Sequence, residues 1–180
     1  MRRLALTLMA AALVAMPASA ALKQGVKAPM FVTQGAMAGK VTKVDLKAEL
    51  KRGPVVLYFF PAAFTSGCNA EAKAFADQLD QFKAAGATVI GMSADDVPTL
   101  QRFSNEHCAG KFRVATASPA LVKQFDVALG REMNGRAITN RTSYVIAPDG
   151  SILLSHTDMS PMSHIRETLA AAKRYRASRG

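Results

Sequence analysis

The chain has 180 residues and a formal net charge of +10 at neutral pH. Its length suits one domain with a hydrophobic core of its own. The lysines and arginines are scattered apart from a cluster at 173–179, KRYRASR. Cations in such a cluster suit the end of a helix, so we expect no nucleic-acid partner.

The first twenty residues differ in composition from the rest. Two arginines precede an apolar run from Leu4 to Met16, and small residues follow up to Ala20. This pattern predicts a secretory signal peptide that is cleaved after Ala20. A retained anchor is the alternative, but the run is shorter than a bilayer span. We therefore expect a single exported domain at 21–180, located in the periplasm, with a charge of +8 and no stable membrane association.

Apolar patterning predicts alternating strands and helices along the remaining chain. An extended start at 28–32 leads to a hairpin-like region and a helical turn at 46–51. The continuous apolar run VVLYFF at 55–60 is typical of a strand buried on both faces. Further strands are predicted at 87–93, 112–117, 142–147 and 151–157, and helices at 68–85, 95–108, 118–125 and from 160 onward.

The order of these elements indicates an α/β fold with a mixed sheet. The last two predicted strands are joined by the turn Pro148-Asp149-Gly150, which predicts an antiparallel hairpin. Ligands of such sheets bind at the carboxyl ends of strands. The segment that follows VVLYFF is therefore the first candidate for a functional site.

Cys68 falls in that segment, in the first turn of a predicted helix. Unpaired backbone N–H groups and the positive end of the helix dipole stabilise a thiolate there, and the thiolate is the nucleophilic form. Thr65 lies one turn earlier, and Pro61 stiffens the approach. Three interpretations remain open, namely a buried inert thiol, a structural disulfide to Cys108 and a reactive thiol.

Residues 61–68, PAAFTSGC, match the motif P-x-x-x-T-x-x-C of the peroxiredoxins. Residues 25–31, GVKAPMF, resemble the opening G-x-x-A-P-x-F of that family, and 140–146, NRTSYVI, followed by Asp149-Gly150, resemble its later R-[ST]-[ST]-[FY]-[LV]-I…D-G segment. The chain thus resembles the AhpC/TSA superfamily from about residue 23 onward. Short loops make it most similar to an exported member of the bacterioferritin-comigratory, or PrxQ-like, group.

The resemblance implies a thioredoxin-like fold, with a central mixed β-sheet flanked by helices. It also implies a thiol-dependent peroxidase that reduces hydrogen peroxide and small organic hydroperoxides without a cofactor or metal. Cys68 would be the peroxidatic cysteine, and Thr65 would hydrogen-bond the peroxide. Arg141 would stabilise the thiolate and the departing oxygen, and Pro61 would shield the thiolate from water.

The resemblance further implies a second thiol that resolves the sulfenic acid of Cys68 as a disulfide. Lys73 occupies one position that the group uses for this thiol, which leaves Cys108, about one helical turn beyond the other. A thioredoxin-like protein would then supply electrons. Resolution by an external thiol stays open, as does a non-enzymatic exported domain with a structural Cys68–Cys108 disulfide.

Other classes fit the sequence less well. Thr65 stands where a C-x-x-C oxidoreductase has its first cysteine, and Ala72 excludes the C-x-x-x-C pair of an exported copper protein. The absence of Trp disfavours a glutathione-type peroxidase. Glu71 is interpreted first as a partner of the helix dipole and second as a proton-handling or hydrogen-bonding group. Residues 128–138 are predicted to be loops that form dimer contacts or the rim of the site.

Overall fold

A computed structural model describes residues 21–179; the predicted signal peptide at 1–20 and Gly180 lie outside the described residues. The strands are β1 (Val32–Met37), β2 (Lys40–Asp45), β3 (Val55–Phe59), β4 (Thr88–Ser93), β5 (Arg113–Thr116), β6 (Ala128–Met133), β7 (Arg136–Thr139), β8 (Thr142–Ile146) and β9 (Ile152–Thr157). The helices are α1 (Leu46–Leu50), α2 (Ser66–Ala84), α3 (Val97–Glu106), α4 (Pro119–Gln124) and α5 (Pro161–Ala177).

Seven strands form one sheet in the order β2-β1-β5-β4-β3-β8-β9. Strands β3, β4 and β5 are parallel, whereas β1 and β8 join them antiparallel. The predicted hairpin of the last two strands is present as the antiparallel pair β8–β9. The fold is therefore the predicted α/β architecture, with a central mixed sheet flanked by helices.

The run VVLYFF is apolar throughout because both faces of β3 are covered. Alternate side chains enter two different cores, since successive residues of a strand point to opposite faces. Helices α2, α3 and α5 cover one core, and α1 and α4 cover the other. The first core takes Val56, Tyr58 and Phe60, and the second takes Val55, Leu57 and Phe59.

The prediction of loops at 128–138 was wrong. Strands β6 and β7 form a separate two-stranded antiparallel sheet in this segment. Asn134 and Gly135 make the turn between them with φ of +53° and +71°. Asn-Gly is the residue pair that favours such tight hairpin turns, so the sequence did contain a signal for this hairpin.

Helix α3 ends earlier than predicted, which changes the setting of Cys108. Asp96 caps its start by accepting from Thr99 N at 2.9 Å. The helix stops at Glu106, and Ala109 and Gly110 both have positive φ. Cys108 consequently lies in a turn beyond the helix. None of the described helices combines the length and hydrophobicity needed to cross a bilayer.

Candidate active site

Cys68 lies just after the loop that connects β3 to α2. After β3 ends at Phe59, residues 60–65 form a loop whose Ala63 N–H donates to Asp95 Oδ2 at 2.7 Å. Thr65 is the N-cap of α2, and Cys68 is the third residue of the helix. The thiol thus sits in the first turn, as predicted, and its side chain is only 1% exposed. The positive end of the dipole of a 19-residue helix acts on a sulfur shielded from water.

Arg141 reaches the sulfur from the neighbouring strand. It immediately precedes β8, whose Thr142 pairs with Phe59 at the end of β3. Its Nη2 lies 3.5 Å from Cys68 Sγ. A Cβ at Gly67 would lie 3.1 Å from the same Nη2, so a side chain at this position would crowd the guanidinium and glycine avoids the clash. Sheet pairing therefore brings together two side chains that are 73 positions apart.

The backbone around Arg141 is held on both sides. Arg141 N donates to Asn140 Oδ1 at 2.8 Å, and Arg141 O accepts from Asp158 N at 3.3 Å. Thr139 Oγ1 donates to Phe60 O at 2.7 Å and ties this segment to the end of β3. These bonds fix the position from which the guanidinium extends.

The other two motif residues frame the loop. Thr65 is half-buried, and its hydroxyl donates to Ala62 O at 3.0 Å. Pro61 is buried and lines a cavity of about 180 Å³. Asp95 and Arg136 line the same cavity and form an ion pair at 3.6 Å. The loop is thereby attached to the β4–α3 connection and to the β6–β7 hairpin.

Glu71 completes the group around Arg141. The carboxylate is fully buried one turn after Cys68 and forms an ion pair with Arg141 Nη1 through Oε2. Burial raises the pKa of Glu71 to about 8, against the opposite effect of the guanidinium. Within the described residues, Glu71 Oε1 and Arg141 Nε have no hydrogen-bond partner. The sequence interpretation ranked the helix dipole first for Glu71 and a hydrogen-bonding role second, and the structure shows a buried hydrogen bond with Arg141.

Cys108 belongs to the same hydrophobic core as Cys68, and both thiols are free. Its side chain is fully buried, and burial raises the pKa of the Cys108 thiol well above its ordinary value. Tyr58 lies in this core as well, with a buried hydroxyl that has no hydrogen-bond partner among the described residues. The core beneath Cys68 thus holds two neutral polar groups beside the charged cluster.

Sequence reasoning assigned no partner to His164, which is buried between β8 and α5. His164 Nδ1 lies 2.8 Å from Ser143 Oγ, and His164 Nε2 donates to Asp158 O at 2.8 Å. Burial lowers the pKa of His164 to about 4. The spacing of these residues in the sequence does not predict the contact. Ser143 lies on β8, Asp158 in the β9–α5 loop and His164 on α5, and only the fold brings them together. Within the described residues, no group of three or more metal-ligating side chains is present.

Comparison with known proteins places this chain in a family. The model of the AhpC/TSA family matches residues 24–155. The chloroplastic peroxiredoxin Q of Gentiana triflora is 34% identical over 122 residues, which cover 67% of this chain and 55% of the relative. That of Suaeda salsa is also 34% identical, over 68% of this chain and 56% of the relative. The chain spans about half the length of the curated relatives it matches.

Solved structures extend the likeness to the fold. Peroxidoxin BcpB from Mycobacterium tuberculosis is 29% identical with a TM-score of 0.76, covering 85% of this chain and 97% of that one. The bacterioferritin comigratory protein of Xanthomonas campestris is 27% identical with a TM-score of 0.68, covering 79% and 91%. The chain therefore belongs to the AhpC/TSA family, within the peroxiredoxins of the bacterioferritin-comigratory and peroxiredoxin Q group.

Proposed function

We propose that this protein is a thiol-dependent peroxidase that reduces hydrogen peroxide and small organic hydroperoxides through Cys68. The observation that carries the proposal is Arg141 Nη2 at 3.5 Å from Cys68 Sγ, in the first turn of α2. Family membership supports it, and the Xanthomonas campestris relative is described by its alkyl peroxide reduction activity.

The chemistry follows from the groups at the sulfur. The Cys68 thiolate attacks one peroxide oxygen, the O–O bond breaks, and the sulfur becomes a sulfenic acid. The departing hydroxide or alkoxide takes up a proton and leaves as water or alcohol. Arg141 stabilises the negative charge that develops on the oxygens. The Thr65 hydroxyl, which donates to Ala62 O in the structure, turns to donate to the bound peroxide. Pro61 keeps water away from the thiolate.

Cys108 resolves the sulfenic acid in this proposal. Its thiol condenses with Cys68–SOH to give a disulfide and water, and a thioredoxin-like dithiol then returns both thiols by supplying two electrons. Both sulfurs are buried, so the turn at 107–110 and the first turn of α2 must open locally. Cys108 lies outside α3, so its release opens the turn, in which the Cys108 and Gly110 N–H groups donate to Phe103 O and Ser104 O of the helix.

The test is to add one equivalent of hydrogen peroxide to the reduced protein and to record intact mass and free thiols within seconds. Loss of two hydrogens together with both thiols is the expected result. A protein mass that increases by oxygen while Cys108 stays free would show that an external thiol, and not Cys108, resolves the sulfenic acid. An unchanged mass would overturn the peroxidase and favour a structural role for the two cysteines. The Cys68→Ser variant is the control and should not react.

The proposed location is the periplasm, after removal of residues 1–20. The supporting observation is the basic start, apolar run and small-residue exit of that segment. Export should yield a mature chain that begins at Ala21, which intact mass of the periplasmic fraction would measure. A chain that keeps residues 1–20 or stays in the cytosolic fraction would contradict this.

A further inference from the structure

The site contains one permanent cation and more than one group able to become an anion. Arg141 contacts Cys68 and Glu71 on α2, and all three are buried. Tyr58 on β3 lies in the same buried core as Cys68 and Cys108. His164 on α5 is buried, and its Nδ1 lies 2.8 Å from Ser143 Oγ on β8. The net charge around Arg141 therefore depends on five titratable side chains, namely Cys68, Glu71, Tyr58, Cys108 and His164.

Three of these five are neutral around pH 7. Burial raises the pKa of Tyr58 and that of Cys108 far above their ordinary values, and burial lowers the pKa of His164 to about 4. Only Cys68 and Glu71 are left to balance Arg141. Two negative charges facing one guanidinium would leave a net buried charge, which is unfavourable in an interior shielded from water.

The hydrogen bonds of Glu71 also favour its protonated form. Arg141 is its only hydrogen-bond donor among the described residues, and Oε1 has no partner there. A buried carboxylate remains ionised when several donors surround it, whereas a poorly solvated one takes up a proton. The pKa of Glu71, raised by burial to about 8, agrees with this reasoning.

We propose that, around neutral pH, Cys68 and Glu71 share a single proton beside Arg141, so that Glu71 is protonated when Cys68 is a thiolate. The proton released by the thiol is held by the carboxylate. Glu71 acts on the thiolate through Arg141, and it holds the proton that the reaction with peroxide consumes. The inference rests on the proposed function where it concerns the reaction with peroxide.

The shared proton also balances charge during that reaction. Before it, the site contains the guanidinium, the thiolate and the neutral carboxylic acid. Afterwards it contains the guanidinium, the neutral sulfenic acid and the Glu71 carboxylate, and the proton has gone to the departing hydroxide or alkoxide. The net charge of the buried site is the same in both states, so no charge has to be buried or released.

A distinctive pH dependence follows. Below the pH at which Glu71 ionises, the full charge of Arg141 acts on the thiolate. When pH rises through about 8, Glu71 loses its proton and its carboxylate neutralises the guanidinium. The rate constant for peroxide per thiolate should then fall about tenfold between pH 7 and pH 9. An ordinary cysteine whose thiolate fraction alone changes would not behave in this way.

The experiment measures that rate constant from pH 6 to pH 9.5, dividing by the thiolate absorbance at each pH. Glu71→Gln keeps an acceptor for Arg141 but cannot ionise, so its profile should stay flat within about twofold. Glu132→Gln, an exposed position on β6, is the matched control and should follow the parent. A flat parent profile, or a falling profile in Glu71→Gln, would overturn the inference.

A second readout does not depend on peroxidase activity. The infrared difference between parent and Glu71→Gln should contain the carbonyl band of a protonated acid wherever thiolate absorbance is present below about pH 8. Thiolate absorbance without that band would overturn proton sharing and leave the peroxidase intact. The band together with a thiol inert to peroxide would overturn the proposed function and support the shared proton.

Discussion

At the scale of single residues, Arg141 has two partners that a lysine could not serve together. Its planar guanidinium directs Nη1 to Glu71 and Nη2 to Cys68. A lysine provides one ammonium group on a flexible stem. The two contacts therefore require arginine at this position, and the charge alone does not account for them.

Replacement of Arg141 should accordingly slow the reaction of Cys68 with peroxide. Removing one preorganised donor costs about 10²–10³ in rate, so Arg141→Met is expected to lose that amount. Arg141→Lys is expected to recover only part of it, since the charge returns without the two-pronged geometry. Arg131→Lys, an exposed change on β6, is the control in rapid-quench measurements. Full activity in Arg141→Met would contradict the role of the guanidinium.

The burial of His164 predicts how the free energy of unfolding changes in acid. Its pKa is lowered by burial from 6.5 to about 4, so the unfolded chain binds its proton first as pH falls. The stabilisation is complete above pH 6.5 and is lost between pH 6.5 and pH 4, amounting to about 3 kcal/mol. The unfolding free energy of the parent should therefore fall more steeply over that range than that of His164→Gln. Equal slopes would show that the burial of His164 is not linked to its proton, and His107→Gln is the control.

At the scale of elements, the junction of α2 with β8 depends on a helical glycine. A Cβ at Gly67 would lie 3.1 Å from Arg141 Nη2 and 3.8 Å from Pro161 Cγ. Alanine normally stabilises a helix relative to glycine by about 0.5–1 kcal/mol. The choice of glycine here therefore favours the position of the guanidinium over the stability of the helix.

Gly67→Ala should separate stability from activity. Urea unfolding is expected to give a stability equal to or above that of the parent, because alanine is the better helix former. The peroxide rate should fall about tenfold as the guanidinium moves a few tenths of an ångström away from the sulfur. Ala70→Gly, at an exposed position of α2, is the reverse control, with lower stability and unchanged rate. A parent-like rate in Gly67→Ala would show that the guanidinium adapts freely.

The elements differ in how well their sequence predicts them. The run VVLYFF is predictable as a strand because its residues are buried alternately in two cores, so none of them is polar. The β6–β7 hairpin was missed because its residues are mostly exposed, and its main signal is the Asn134-Gly135 turn. The predicted end of α3 is two residues later than the observed end. The chain turns at Ala109, which has a positive φ, and alanine is not a residue that predicts such a turn.

At the scale of the whole molecule, the fold assembles the site from distant segments. The motif residues Thr65 and Cys68 were identifiable from their spacing, and Arg141 from the resemblance of its own segment. Their distance from one another follows only from the pairing of β3 with β8. The burial of Glu71 and the contact of His164 with Ser143 depend on packing between helices and sheet, which local pattern does not encode.

The proposed function depends on the activation of Cys68 toward peroxide by the fold. Its most direct test is the second-order rate constant of the reduced protein with hydrogen peroxide at pH 7, obtained by rapid quench with thiol alkylation because the chain has no Trp. We expect a value at least about a hundredfold above that of a free cysteine thiolate, since the helix dipole and Arg141 act together. A rate equal to that of free cysteine would contradict the account.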